Sequence, residues 1–475
     1  MRSGSMNLDL SGIIESLEGI GYISDDKLLK TFNLILDPPI STLSFNDAII
    51  GDFELPQPRL EYIEGRVIRS ALGENGIDLF ISIDLVISML PLSKLESLVA
   101  SDRNVILEII REEAYTTARS LAELYRIRGE DFRSEDDVKR EILILAPSSR
   151  LLDTVRGEWD KWVWRRTDRY GRESPDPKLI LYDILRIGNA LRDYGVKVYI
   201  ATDIEHDYGD ILKPYDIIPV KIPQRLAKIV YVRDQSVTWF KSPILGNMTL
   251  DFRRGEEAVL SEIYSKLNLR PLFRIRWVAE GGKLIRAYME GGNFFVIKTE
   301  YGTAVLTGVG VRGSNYAVFK ILASILPEDV RLIGVPLAGY IKDWVSGAVH
   351  LDVVFSYIGD IGGERLALVD PSRMGFYSLL EYNRREGSFK IIEMPRLMRE
   401  LGVKLDEPPR EGQSRITMIN ALNLGKGRII SDSFNELVNR YLERMYSIDV
   451  IRVDIPQLEA GGGGVRCSTR ELWRD

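Results

Sequence analysis

One cysteine and two histidines are all the thiol and imidazole chemistry that 475 residues offer here. Cys467 stands in "GGGGVRC" close to the C-terminus, His206 in the acidic loop "DIEHDYGD", and His350 in "GAVHLDVVF". A thiol of ordinary pKa, near ~8.5, attacks only as its thiolate, so at neutral pH it needs a cationic or basic neighbour. His350, entering an apolar β-forming run, is the better candidate for that neighbour. The alternative is that Cys467 is a small buried side chain and His350 a satisfied strand residue. Four consecutive glycines favour a site, because they make a poor helix or strand interior and let backbone approach a ligand closely around the thiol. Such a run also marks a flexible tail.

Carboxylates supply the next layer. Read as extended chain, His350, Leu351 and Asp352 put an imidazole and a carboxylate on one side of a strand, facing one cavity. Glu290 precedes a glycine pair and a β-forming run in "MEGGNFFV", and Asp234 interrupts "YVRDQSVTW". A carboxylate among apolar strand residues is costly unless paired or solvated. Each of these acids, taken singly, reads equally well as half of a buried ion pair, for instance through Arg233. Three acids, a histidine and a cysteine at equivalent places in repeated units are harder to explain that way.

Those repeated units are the elements that must position the side chains. After residue 138 the order strand, turn, strand, helix, strand recurs. The clearest copies are "KIVYVRDQSVTW" to "PLFRIRWV", "NFFVIKT" to "VRLIGVPL", and "ITMINALNL" to "IDVIRVDI". Weaker copies start at "EILILAP" and "LDVVFSYI", which gives five units over residues 138–475. No unit can bury its apolar face alone, so the units pack around a shared centre to which distant positions all contribute. Residues 1–137 read differently: apolar residues at helical spacing over 93–129 predict a mostly helical N-terminal domain. "MRSGS", residues 1–5, reads as a cloning remnant ahead of a second Met.

Composition narrows the functional classes. A net charge of −6 provides no broad basic field for nucleic acid. Apolar runs such as "LFISIDLVISMLPL" are too short and too interrupted to span a bilayer, and the N-terminus lacks the pattern of a signal peptide. A lone cysteine makes no internal disulfide, which points to a cytoplasmic protein. A homo-oligomer is compatible with this composition.

Taken in order, "VRDQ", "EGGN", "HLDVVF" and "GGGGVRC" resemble the signatures of the guanidino-group-modifying superfamily of pentein fold, most of all arginine deiminase. The resemblance covers roughly residues 138–475. It implies an α/β fold, a five-bladed α/β-propeller of ββαβ modules around a central active site, with the N-terminal domain as an addition. It also implies roles. Asp234 and Asp352 would grip the guanidinium, and Cys467 would add to its carbon. His350 would protonate the departing ammonia and then activate water, with Glu290 orienting the ring. Arg312, and Arg253 or Arg254, would contact the substrate's α-carboxylate, while Arg466 would close over the substrate or lower the thiol pKa. No cofactor or metal is implied.

The chain also departs from the family. The helical insertion between the first two modules is missing, the usual "RCMSMPL" ending becomes "RCSTREL", and Lys228 or a neighbour stands where the family has asparagine. The N-terminal helices are expected to cover the pocket mouth in place of that insertion, a role that deleting residues 6–137 would test. Three functions follow: hydrolysis of L-arginine to citrulline and ammonia; action on another guanidino compound such as agmatine or a methylated arginine, or amidino transfer to an amine; and a non-enzymatic arginine sensor. A sensor has no need of an aligned nucleophile.

Overall fold

The computed structural model describes residues 131–148, 164–205, the strands within 59–81, and 208–473 apart from 224–225, 227, 251–252, 254, 272–276, 281–282, 311–313, 338–347, 371–373, 375–376 and 411–418. The helical pattern at 93–129, and the candidates His206, Arg254 and Arg312, lie outside the described residues. Ahead of residue 131 the described backbone is an antiparallel meander of β1 (Arg59–Ile63), β2 (Val67–Leu72) and β3 (Ile77–Ile81).

The main body begins with β4 (Glu141–Leu145), a short run of apolar residues bounded by polar ones. Its alternation sends Ile142 and Ile144 into one core cluster and Leu143 and Leu145 into another, as a strand covered on both faces requires. Helix α1 (Pro177–Asp193) starts where the Asp176 carboxylate accepts from the Lys178 and Leu179 amides and Pro177 opens the first turn. Ile180, Ile184, Ile187 and Leu191, three or four apart, form its buried face. Gly195, at φ +76°, turns the chain out of the helix. Strand β5 (Lys197–Asp203) follows, parallel to β4, and β6 (Asp216–Val220) lies parallel to β5.

Next come the short pair β7 (Ser236–Val237) and β8 (Ile244–Leu245), helix α2 (Glu256–Lys266), and a hairpin of β9 (Trp277–Glu280) and β10 (Lys283–Arg286). A fuller unit then appears. β11 (Phe294–Thr299) and β12 (Gly302–Val309) are antiparallel, α3 (Ala317–Ile325) crosses over, and β13 (Val330–Pro336) lies parallel to β12. The order recurs with β14 (Phe355–Ile361), β15 (Glu364–Val369), the hairpin β16 (Ser378–Asn383) and β17 (Ser388–Glu393), α4 (Met394–Glu400) and β18 (Val403–Asp406), which is parallel to β15. The intervening hairpin adds to the edge of β13 instead of its own sheet. A last copy runs through β19 (Leu422–Gly425), β20 (Arg428–Asp432), α5 (Glu436–Tyr446) and β21 (Asp449–Val453). The chain is therefore α/β, with an antiparallel pair, a helix and a parallel strand as its recurring unit.

After α6 (Pro456–Ala460), the final strand β22 (Arg470–Leu472) returns to pair antiparallel with β4, Arg470 opposite Leu143. This pairing carries the C-terminal segment into the body. Cys467, just ahead of β22, is only 4% exposed and belongs to the same core cluster as α1 and β4.

Two local expectations fail. The segment "KIVYVRD" forms a series of turns over 228–235, not a strand. Its backbone groups go to other loops: the Arg233 amide donates to the Cys467 carbonyl (3.0 Å), and the Gly291 amide to the Asp234 carbonyl (2.8 Å). Tertiary partners thus replace the ladder that its β-branched residues predict. Likewise His350 is extended (φ −115°, ψ 148°), but Leu351–Val353 is one 3-10 turn, so His350 and Asp352 do not share the side of a strand.

Candidate active site

Four loops converge on one buried point: the turn carrying Asp234, the turn after Glu290, the turn at His350 to Asp352, and the glycine-rich segment ending at Cys467. Asparagine side chains tie them together. The Asn293 Oδ1 accepts from the Leu351 amide (3.0 Å). Asn420 Nδ2 donates to the Asp352 carbonyl (2.9 Å), while its Oδ1 accepts from the Cys467 amide (3.2 Å). Thiol and carboxylate are therefore placed by one amide. Glycine is needed where these loops touch. A Cβ on Gly292 would lie 2.7 Å from Asp234 Oδ1 and 3.0 Å from His350 Nδ1, and one on Gly463 would strike the Tyr231 ring at 2.1 Å.

His350 bridges two acids. Its Nε2 donates to Glu290 Oε2 (2.5 Å), and its Nδ1 lies 3.3 Å from Asp234 Oδ1. Glu290 is itself fixed by the Thr249 amide, which donates to Oε1 (2.6 Å). With a carboxylate at each ring nitrogen, the ring is held as the imidazolium. Burial opposes the charge, but Asp234 and then Glu290 outweigh it and hold the pKa at about 9. Conversely, burial would raise Asp234 and Glu290, yet His350, with Arg253, holds both below the usual carboxylate range. Because the imidazole pKa is about 9 folded against 6.5 free, its stabilising charge is fully present below pH ~6.5 and is lost as pH rises through ~9. Thermal melts of the wild type are expected to fall across that window, and those of His350→Gln to be flatter; equal slopes would remove the imidazolium from the account.

Cys467 Sγ lies 3.7 Å from Asp352 Oδ2. Burial, then Asp352 and Asp234, push the thiol pKa well up, so the resting sulfur keeps its proton. Burial also raises Asp352, against the opposing pull of Arg466 and His350. One oxygen of each aspartate, Asp234 Oδ1 and Asp352 Oδ1, is buried without a hydrogen-bond partner, although Asp234 Oδ1 keeps its ion pair with His350 Nδ1. Unpartnered carboxylate oxygens in a dry interior are expensive. Beside a thiol, they form a place for a planar cation with several N–H groups.

The two described arginines of the candidate set are both occupied. Arg253 Nη1 donates to Asp234 Oδ2 (2.6 Å), and its Nε and Nη2 donate to Glu256 (3.1 and 2.8 Å). The structure thus ties it to Asp234 and Glu256. Arg466 Nη1 donates to Asp352 Oδ2 (3.0 Å), its Nε and Nη2 to Glu135 (2.9 and 3.1 Å), and its guanidinium stacks 4.0 Å over Phe295. It supports Asp352 from behind, and among its expected effects the lowering of the thiol pKa is present as a minor one. Glu135, ahead of residue 138, was not singled out in the sequence, and neither were Asn293 and Asn420. Deleting residues 6–137 would remove this partner of Arg466, so a truncation that tests the N-terminal region must end before residue 131. Arg466→Ala leaves two buried carboxylates uncompensated and is expected to cost about 3–5 kcal/mol in urea unfolding; a cost under 1 kcal/mol would contradict this reading.

Residues 219–360 match the model of the arginine deiminase family. The matched segment holds Asp234, Glu290, His350 and Asp352 and stops short of Cys467. An uncharacterized protein, YkgA, from Bacillus subtilis (strain 168) is 24% identical over 284 residues, 59% of this chain and 83% of that one. Among solved structures, a dimethylarginine dimethylaminohydrolase from Pseudomonas aeruginosa complexed with citrulline is similar at 16% identity and a TM-score of 0.43, covering 70% of this chain and 99% of that one. The N-terminal domain of ArgZ, described as an arginine dihydrolase from the ornithine-ammonia cycle in cyanobacteria, is similar at 14% identity and a TM-score of 0.46, covering 70% and 97%. Likeness at this level adds nothing to the chemistry, which the side chains define.

Proposed function

We propose that the chain is an arginine deiminase-like member of the guanidino-group-modifying superfamily, a hydrolase of amidine carbon–nitrogen bonds, and that it converts L-arginine to citrulline and ammonia through a covalent adduct on Cys467. The observation that carries this reading is the pair of buried oxygens without hydrogen bonds, Asp352 Oδ1 beside the thiol and Asp234 Oδ1 ion-paired to the imidazolium of His350. A guanidinium presents several N–H donors in one plane, which suits carboxylate oxygens left without hydrogen bonds.

The steps follow from the charges. Burial and the two carboxylates keep the thiol protonated; the positive charge of a bound guanidinium opposes both, so its arrival lowers the Cys467 pKa and the proton leaves to solvent. The thiolate adds to the guanidinium carbon. The imidazolium of His350 gives its proton to a departing nitrogen, the carbon–nitrogen bond breaks, and ammonia leaves a thiouronium adduct. Neutral His350 then takes a proton from water as its oxygen attacks the same carbon; the carbon–sulfur bond breaks, the hydroxyl proton passes to the departing sulfur, and the ureido product leaves with the thiol restored. Glu290 holds the ring in place through both stages.

For the α-carboxylate we assign Arg312 and Arg254, on the family resemblance, because Arg253 is already paired. We also assign five ββαβ units around this pocket; the three recurring units and the closure of β22 on β4 support that arrangement. Incubation with arginine, agmatine and methylated arginine, with citrulline, ammonia and ornithine measured separately, tests the substrate. Equimolar citrulline and ammonia from arginine, without ornithine, is the expected result. Ornithine formation with an amine acceptor, or turnover confined to agmatine, would overturn it.

A further inference from the structure

A cavity lined in part by Arg466 lies between the turn at 131–135, β7, the Gly291 turn and β22, and Cys467 is not among its lining residues. Four guanidinium groups line it, those of Arg133, Arg233, Arg466 and Arg470, against two carboxylates, those of Glu135 and Glu471. Both carboxylates stand in ion pairs, Glu471 with Arg233 and, at 3.6 Å, with Arg470, although Glu471 Oε2 has no hydrogen-bond partner. Glu135 accepts from Arg466 Nε (2.9 Å) and Nη2 (3.1 Å), and Glu471 accepts from Arg233 Nη1 (2.8 Å). Arg233 and Arg470 are 1% and 2% exposed, and Arg233 Nη2 and Arg470 Nε have no hydrogen-bond partner. The rest of Arg470 is fixed: Nη2 donates to the carbonyls of Arg233 and Ser236, and Nη1 to Thr238 Oγ1 (3.3 Å). It cannot turn away to solvent. Burial, then the nearby Arg233, lower its pKa to about 10, which reflects the same crowding of like charge.

Buried guanidinium N–H groups without acceptors, in a cavity with an excess of positive charge, are a costly arrangement that an anion relieves. The enclosed part has room for a body little larger than a water molecule, which excludes nucleotides and most metabolites. We propose that this cavity is a binding site for a small monovalent anion of halide size, with Arg233 Nη2 and Arg470 Nε as its donors. The site is distinct from the guanidinium pocket, since none of Asp234, Glu290, His350, Asp352 and Cys467 lines it, and Arg466 links the two with Nη1 on Asp352 and Nε and Nη2 on Glu135. Occupancy therefore steadies the layer that carries Arg466 and takes no part in the chemistry.

Thermal melts of the full-length wild type, with bromide replacing gluconate at constant ionic strength, are expected to show a saturable rise in Tm. The rise should be lost in Arg470→Gln. Trp239 and Trp473 line the cavity, so iodide quenching of their fluorescence should saturate over a matching range. Should Arg470→Gln fail to fold, anomalous scattering from bromide-soaked wild-type crystals decides, the expected result being a peak beside Arg233 Nη2. Melts that respond alike to bromide and gluconate, or crystals without that peak, overturn the proposal.

Discussion

Cys467→Ser is expected to bind L-arginine with nearly wild-type affinity and to lower kcat by a factor of at least ~10⁴. The reasons are local. Sγ makes only a weak contact to Asp352 Oδ2, at 3.7 Å, so replacing it by a hydroxyl leaves undisturbed the carboxylates to which we assign the guanidinium. The loop is held by the Cys467 amide on Asn420 and by the Cys467 carbonyl on the Arg233 amide, both backbone groups that survive the substitution. What disappears is a nucleophile whose pKa a bound cation can bring down towards neutrality; a serine hydroxyl, with a far higher pKa, does not respond usefully. Calorimetry of the variant with arginine, next to a citrulline assay, separates the outcomes. Wild-type protein that binds arginine without turning it over would favour a sensor instead.

The second large effect is expected at His350. His350→Gln should lower kcat by roughly 10²–10⁴, because in the proposed reaction the same ring delivers a proton to the departing ammonia and later accepts one from water. Its folded pKa of about 9 sets the alkaline limb of the wild-type profile, since above it the ring cannot act as an acid. In the variant that limb should vanish along with the rate. An unchanged alkaline limb in a slowed His350→Gln enzyme would assign the titration to another group.

How far the sequence reveals this site depends on residue type. Cysteine and histidine are so scarce in the chain that Cys467 and His350 stand out unaided, and Asp234, Glu290 and Asp352 stand out because carboxylates interrupt apolar runs. The structure gathers all five, although not by the geometry that periodicity suggests. Asp352 reaches the pocket from a 3-10 turn, and Asp234 from a turn whose amides serve neighbouring loops. Asn420, Asn293 and Glu135 were illegible for a physical reason: each acts by tying one loop or ion pair to another across a long sequence separation, which no local pattern records. Arg253 shows the converse. Its type suits a carboxylate ligand, but whether that carboxylate belongs to a substrate or to Asp234 is decided by packing alone. The repeat was readable from apolar patterning, whereas the edge addition of the hairpin β16 and β17 to β13 was not.

The central claim is that the sulfur of Cys467 becomes bonded to the guanidino carbon during turnover. Acid-quenching the wild-type enzyme while it turns over arginine, followed by intact-mass measurement and peptide mapping, tests that bond directly. The account predicts a species heavier than the free enzyme by arginine less ammonia, with the added mass on the peptide containing Cys467. Citrulline produced at full rate without such a species, or with the mass on any other residue, would contradict it.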